Sequence, residues 1–501
     1  MTREINKPNY KQTLITTLLL IPLFFINMQE VHNWGDDFAL YMHQAKNLVE
    51  GESPQETGLI FNDDNPIMVA SVSIGFSILL APVYAIWQGE IYAYTIYITL
   101  ILLIGAIALM YYFRRRMPFW LSLILILLIV YNRWVLSFKY NILSDIPFFA
   151  LLIISINLYE KEWKNEYLKF IILGLVAGFT TSVRSLGIVF ILAVLAITFY
   201  ELISYRIKQG TCPMDRKKTI LKIFIFGFLS IGLYKALDIL FFPAPKDGSY
   251  VGYLQGHNIG NVFVGHLSYY YGHFIGFFHT LKIPAGIHVF NEIIVSAFLL
   301  GGFLIKIFRK IEIIDFFFVG FILVIFAYPA NPGFRYLLPL IPFAFLYMVE
   351  GFVFLANKLK IKKQYIIAYT FFVLLFLQYE PGIARMSRAE KLDPIYEPQL
   401  LASKKVFKYI RENTPDSAVF VFIKPRALAL YTDRQCLANN KKQRDADSLS
   451  KIYEKYHVDY LLQNIKEIKD SAMIVYLEKY DYKLEIVYSN KRFRLYKFKD
   501  V

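Results

Sequence analysis

The sequence predicts a polytopic all-α membrane protein with about eleven transmembrane helices, external juxtamembrane helices and a small C-terminal soluble α/β domain. Three observations point there. Of 501 residues, 56% are hydrophobic and 19% charged, too little charge for the surface of a water-soluble chain of this length. The apolar residues arrive in runs of about 17 to 23, the length a helix needs to cross roughly 30 Å of hydrocarbon. After Tyr379 the texture changes, and residues 381–501 carry many Lys, Arg, Asp and Glu with only short apolar strings. The expected division is therefore a membrane domain over 1–380 and an extracytoplasmic soluble domain over 381–501.

Apolar segments fall at 12–28, 66–88, 91–113, 118–136, 141–158, 168–183, 187–204, 220–240, 261–282, 288–307, 312–330, 335–357 and 364–380. The first follows a basic start and resembles a signal peptide, but small residues at a cleavage site are missing, so it reads as a retained helix. In the tail, 398–411 and the stretch near 450–457 read as helices. Segments 418–423 and 458–462 read as strands, and 483–498 as a terminal hairpin.

The net charge of +15 is not a nucleic-acid footprint, because in the apolar part it concentrates in short connectors such as Arg114–Arg116 and Lys358–Lys363. Cytoplasmic loops facing anionic lipid have that distribution. Segment 205–222 holds six basic residues against Asp215, whereas 30–65 holds eight acidic residues against Lys46, so the first belongs inside and the second outside. Strict alternation of all thirteen segments conflicts with these charges. The conflict vanishes if 66–88, broken by Pro66, Gly75 and Pro82, and 261–282, which carries Asn261, His266, His273 and His279, lie along or dip into the membrane without crossing. Eleven spans remain, with the N-terminus cytoplasmic and the C-terminal domain outside. Two cysteines, Cys212 and Cys436, lack a close Cys or His partner, which argues against a disulfide framework or structural zinc.

This topology gathers polar residues at the outer surface. Asp36 and Asp37 follow the first helix, Lys139 and Asp145 stand at the start of 141–158, and Arg184 occupies the break between two short helices. Asp238, Lys246, Asp247, His257, His266 and His273 come from the 241–287 region, and Asn331, Arg335 and Tyr336 from the turn before 335–357. Charges at the edge of an apolar helix must be hydrated, paired or turned toward a polar cavity. Snorkelling at the interface accounts for any one of them, but carboxylates and guanidiniums gathered on one face point to a polar cleft. Such a cleft suits a lipid-phosphate-linked sugar, with its tail in the bilayer and its phosphate at the surface. Arg and Lys match phosphate oxygens, and an Asp can take the proton of an attacking hydroxyl.

Five stretches then resemble a known family. Trp34-Gly35-Asp36-Asp37-Phe38-Ala39-Leu40-Tyr41, followed by Ala45 and Gly51, resembles the acidic pair that opens a juxtamembrane helix in the polytopic GT-C glycosyltransferases of bacteria. The branch is that of protein O-mannosyltransferases and lipid A aminoarabinose transferases. Ser73–Tyr84 resembles a second segment of that family, but its lysine and paired prolines are absent here, so the lysine's donor-binding role is not carried over. Asn141-Ile142-Leu143-Ser144-Asp145-Ile146-Pro147, the Gly174–Gly187 stretch ending in Ser182-Val183-Arg184, and Asn331-Pro332-Gly333-Phe334-Arg335-Tyr336-Leu337-Leu338-Pro339 complete the order.

The resemblance implies a GT-C fold in the bacterial inner membrane and transfer of a monosaccharide from a polyprenyl-phosphate donor to a glycan, lipid or protein acceptor. It places the catalytic acid on Asp36, with Asp37 where the family has Glu and Asp145 as a further acidic candidate. Arg335, Arg184 and Lys139 become the donor-phosphate candidates. Tyr336, His257, His266 and His273 are candidates for substrate contact, and no metal ligands are assigned. The resemblance implies no required cofactor; carboxylates such as Asp36 and Asp37 suit a divalent cation, which stays open. On the residues themselves, Asp36 also reads as a helix cap, Tyr336 as an interfacial anchor and the glycines as close-packing positions. Two other functions stay open as well: polymerisation or ligation of lipid-linked glycans, and secondary transport.

Overall fold

Backbone amides in hydrocarbon must be satisfied within the chain, and every one of the thirteen apolar runs forms a helix. The structure, a computed structural model, describes residues 8–26, 28, 32, 34, 35, 37–61, 72–209, 216–243, 259–278, 285–378, 398–438, 445–466 and 470–499. The helices run Tyr10–Leu20, Gly75–Trp87, Ile91–Arg114, Phe119–Val130, Asp145–Glu160, Glu166–Val183, Ile188–Gln209, Arg216–Phe241, Ile259–Phe278, Ala285–Arg309, Ile313–Ala327, Ile341–Lys358 and Ile366–Leu377. Helix Asp37–Glu50 lies between the first two.

The helix ends have local causes. Asn9 and Asn165 cap their helices by accepting from the backbone N–H groups of Gln12 and Leu168. Gly51, at φ +81°, takes the left-handed position that closes helix Asp37–Glu50. Asn132 splits the run 118–136 by capping a short helix, Arg133–Phe138, through the N–H of Trp134. Arg114 ends helix Ile91–Arg114, where its charge meets the negative end of the dipole.

Among the described residues, six helices are long and apolar enough to cross a membrane: Ile91–Arg114, Glu166–Val183, Ser185–Ser204, Lys217–Phe241, His288–Arg309 and Leu338–Lys358. Five shorter apolar helices accompany them. Helix Gly75–Trp87, with 13 residues, is only about 20 Å long at 1.5 Å per residue. The two segments set aside as non-spanning are not among the six.

Glycines let the helices approach. A Cβ on Gly178 would sit 2.6 Å from the Ser230 carbonyl of helix Arg216–Phe241, and one on Gly302 would sit 1.8 Å from the Tyr347 carbonyl of helix Ile341–Lys358.

The tail folds around a six-stranded sheet in the order β1-β3-β2-β4-β6-β5. Its strands are β1 (Leu59–Ile60), β2 (Val419–Val421), β3 (Gln435–Leu437), β4 (Tyr460–Asn464), β5 (Leu484–Ser489) and β6 (Phe493–Phe498). The first four neighbours pair in parallel, and β6 runs antiparallel to β4 and β5. The apolar run around β2 follows from burial on both faces. Phe420 and Phe422 join the core continuous with the membrane helices, while Val419 and Val421 join a separate core on the other face. The expected helix 398–411 is Leu401–Asn413, that near 450–457 is Ala446–Lys455, and the hairpin is β5–β6.

Helices Pro425–Thr432 and Ser471–Tyr480 and strands β1 and β3 are additions to that expectation. Strand β1 comes from the loop after helix Asp37–Glu50, so the sheet joins two distant parts of the chain. Trp34 presses edge-on against Phe407, Phe422 and Phe493 at 6.2, 5.5 and 6.3 Å between ring centres, tying the same loop region to the tail.

Gly302→Val has no way to fit without separating two helices and should lower stability by at least about 3 kcal/mol. At Gly301 a Cβ meets nothing within 4 Å. Thermal unfolding in detergent should therefore show a lower midpoint for Gly302→Val and little change for Gly301→Val.

Candidate active site

The candidate side chains come from three helix ends and one turn. Asp37 opens helix Asp37–Glu50, and Asp145 stands in the first turn of helix Asp145–Glu160, both at positions where unpaired N–H groups favour a carboxylate. Arg184, with extended backbone, follows helix Glu166–Val183. Arg335 lies in the 3-10 turn Gly333–Tyr336. Gly333, at φ +72°, donates its N–H to the Tyr269 hydroxyl at 2.7 Å. Helix Ile259–Phe278 thus braces the turn that carries Arg335.

These groups form an alternating chain of charges. Arg184 pairs with Asp145 Oδ1. Arg335 donates through Nε to Asp145 Oδ2 at 3.0 Å and through Nη1 to Asp37 Oδ2 at 3.2 Å. At the far end, Arg426 Nη1 reaches Asp37 Oδ1 at 3.4 Å. Three guanidiniums thus share two carboxylates, an excess of one positive charge. Accessibility peaks within the chain: the Asp145 side chain is 1% exposed, Arg335 26% and Asp37 45%, and Arg426 at the far end is again buried at 6%. The guanidinium of Arg184 lies over the Tyr336 ring, 4.5 Å from its centre.

No family model matches the chain, and no curated protein matches it. Solved structures do. ArnT from Cupriavidus metallidurans bound to undecaprenyl phosphate superposes with a TM-score of 0.58 and 11% identity, covering 98% of both chains. The archaeal oligosaccharyltransferase AglB from Archaeoglobus fulgidus, in complex with an inhibitory peptide and a dolichol-phosphate, gives 0.55 and 11% over 93% of this chain and 71% of that one. The chain shares the fold of the GT-C glycosyltransferases. The arabinofuranosyltransferase AftD from Mycobacteria also superposes, at 0.50 and 10% identity, over the whole of this chain but 41% of its own. Such similarities establish the GT-C fold and do not single out one branch.

Within that fold, Asp37, Asp145, Arg184, Arg335 and Tyr336 come together. Asp36 and His257 lie outside the described residues, as do Lys246, Asp247 and His279. Lys139 is fully buried, and its ammonium donates to the Leu23 carbonyl at 2.7 Å and contacts Met28 Sδ at 3.0 Å, so it holds the end of the first helix. His266 is also buried. Its Nδ1 lies 3.1 Å from the Phe326 carbonyl and its Nε2 3.1 Å from Asn331 Oδ1, a bridge that steadies the segment before Arg335. His273 packs edge-on against Tyr269 at 4.6 Å, beside the same turn. Among the described residues no group of three His, Cys, Asp or Glu is arranged to hold a metal ion.

Arg426 is the residue that sequence reasoning missed. It belongs to the tail, follows β2 and sits in the first turn of helix Pro425–Thr432. The signal was the string Phe422-Ile423-Lys424-Pro425-Arg426, an apolar strand running through Pro into a helix, because the carboxyl ends of parallel strands are where α/β folds place functional groups. Helix Pro425–Thr432 docks on helix Asp37–Glu50, where Lys46 also pairs with Asp433.

Helix Asp37–Glu50 is buried along most of its length. Burial, and then the Asp37 carboxylate, push the Tyr41 hydroxyl well above the ordinary phenol range, so it remains a donor, 3.2 Å from Ser144 Oγ. Burial, and then Lys46, lower His43 to about 4. Its folded pKa lies below the unfolded one, so the unfolded chain binds the extra proton. The stability contributed is complete above the ordinary histidine range and is lost as pH falls toward 4. Imidazole NMR should find His43 neutral at pH 6, and thermal midpoints should fall below that pH less steeply in His43→Gln.

Asp145→Asn would leave Arg184 and Arg335 facing each other without their shared carboxylate, at a cost of about 3–5 kcal/mol. Unfolding in detergent should detect the loss, and Asp145→Glu should recover part of it.

Proposed function

We propose that the protein transfers a monosaccharide from a polyprenyl-phosphate donor to a hydroxyl-bearing acceptor at the outer face of the bacterial inner membrane. The observation that carries this reading is the alternating chain, with three guanidiniums against two carboxylates and its most accessible members, Arg335 and Asp37, side by side. A donor phosphate adds the missing negative charge. Its oxygens take donors from Arg335 and Arg184, exchanging part of the existing ion pairs for a bidentate clamp.

Asp36 is the general base in this reading. It takes the proton of the acceptor hydroxyl as that oxygen attacks the anomeric carbon from the face opposite the phosphate. The bond from carbon to phosphate oxygen breaks, its electron pair stays on the phosphate, and the arginines stabilise the charge. One displacement inverts the anomeric centre. Because guanidiniums already neutralise the leaving group, no step passes through a divalent cation. The eleven-span map, with a cytoplasmic N-terminus and the tail outside, puts the arginine–aspartate chain at the outer surface where such a donor presents its phosphate. Transport is less well served, since all five charges sit at helix ends or turns, away from the midplane where transporters bind their cargo.

Reconstitution with a panel of sugar-linked polyprenyl phosphates tests the reading. Wild type should consume one donor, and Asp36→Asn should be at least about a hundredfold slower with unchanged folding. Arg335→Gln should raise the donor KM as well as lower kcat, Arg335→Lys should recover part of both, and a chelator should leave turnover intact. Solute uptake without donor consumption would overturn the proposal.

A further inference from the structure

A second charged cluster stands at the other end of the bundle. Asp145 and Glu160 are the first and last residues of one 16-residue helix, which puts them roughly 22 Å apart along its axis. Around Glu160, Arg115 lies at 3.5 Å and Arg116 makes a close pair; Arg116 also reaches Glu312 at 3.6 Å. Lys306 donates to Asp315 at 2.6 Å, and the Tyr347 hydroxyl donates to the other oxygen of Asp315 at 2.8 Å. These contacts form a buried floor that joins three connectors.

Above the floor is a cavity of about 220 Å³, lined by Arg116, Lys306, Arg309, Lys310, Glu312 and Glu350 among others. Floor and lining together hold five cations (Arg115, Arg116, Lys306, Arg309 and Lys310) against four carboxylates (Glu160, Glu312, Asp315 and Glu350), an excess of one positive charge. The two tiers differ. Arg116 and Lys306 have side chains 8% and 9% exposed, whereas Arg309 and Lys310 at the mouth are 52% and 78% exposed. The mouth residues hold their carboxylates loosely, Arg309 at 3.2 Å from Glu350 and Lys310 at 3.6 Å from Glu312. Exposed pairs of that kind exchange readily for another anion.

The helix that carries Arg309 is apolar on its exposed face. Leu300, Leu304 and Phe308 recur every four residues on helix Ala285–Arg309 and are all strongly exposed, so they form one stripe that ends at Arg309 and Lys310. A free phosphate has no use for that stripe, whereas a phospholipid can lay an acyl chain along it.

We propose that this pocket binds the phosphate-ester headgroup of an anionic membrane phospholipid at the membrane face opposite the arginine–aspartate chain. The headgroup phosphate takes donors from Arg309 and Lys310, and the buried Arg116 and Lys306 supply the field behind it. This inference needs the helices to span a bilayer but is independent of the reaction proposed above.

The test uses the full-length protein, native mass spectrometry and titration with phosphatidylglycerol, phosphatidylcholine and inorganic phosphate. Wild type should retain phosphatidylglycerol in preference to phosphatidylcholine, and Arg309→Gln with Lys310→Gln should weaken that binding by about tenfold or more. Phe308→Ala should weaken lipid binding without creating phosphate binding. Both mouth residues are exposed, so the double variant should keep the wild-type thermal midpoint. Equal phosphatidylglycerol retention by wild type and the double variant would overturn the proposal. Inorganic phosphate displacing the lipid at millimolar concentration would overturn the lipid assignment.

Discussion

Asp145 is buried to within one per cent of its side-chain surface and carries a charge, and the arrangement of the membrane domain around it follows from that cost. An isolated carboxylate in such a place would forfeit several kcal/mol of hydration. Here both oxygens are occupied, one by Arg184 and one by Arg335, which come from segments 39 and 190 residues away in the sequence. The pairing fixes where helix Glu166–Val183 must end and where the turn before helix Ile341–Lys358 must lie. Arg335 then turns Nη1 to Asp37, so the juxtamembrane helix is located by the same carboxylate through one intermediary. His266 and Tyr269 keep the turn from relaxing away, through Asn331 and Gly333.

The C-terminal domain is tied into this arrangement rather than tethered beside it. Strand β1 leaves the loop after helix Asp37–Glu50 and adds to the edge of the tail's sheet, Trp34 inserts among three of its phenylalanines, and Arg426 closes the chain on Asp37. The carboxyl end of β2 therefore faces the membrane site. An acceptor that met the domain at that edge would meet Asp37 at the same time. Pairing across the two parts also accounts for one carboxylate of the acidic segment 30–65. Asp37 is one of its eight carboxylates, and it is neutralised by guanidiniums from outside the segment.

How much of this was legible in the sequence depends on whether the information was local. Apolar run length announces a helix because the bilayer forces backbone hydrogen bonds to close within the segment, and all thirteen runs became helices. In the tail, the β2 run stood out because both its faces are buried. Helices Pro425–Thr432 and Ser471–Tyr480 are short and mixed in character, and β1 has two residues whose partner lies far along the chain, so no window could hold their signal. At the site, each of Asp37, Asp145, Arg184 and Arg335 was marked as a charge at the edge of an apolar helix. Their order of connection was not, since pairing is a property of lateral helix neighbours. Arg426 escaped because in a soluble domain an arginine is ordinary. Lys139 shows the converse: its charge at a helix edge was visible, but the first-helix carbonyl that absorbs it was not.

The pairing also bears on which carboxylate is suited to act as a base. A general base needs a lone pair directed at the proton it takes and must be able to become neutral without dismantling its surroundings. Asp145 fails on both counts, because each oxygen accepts from a guanidinium and protonation would leave Arg184 without its carboxylate and Arg335 with Asp37 alone. Asp37 is more exposed, yet its oxygens are divided between Arg335 and Arg426, so taking a proton would release the C-terminal domain's contact together with the arginine meant for the phosphate. Both are better fitted to holding arginines in place than to moving protons. Under the proposed function, Asp37 therefore serves to position the cations.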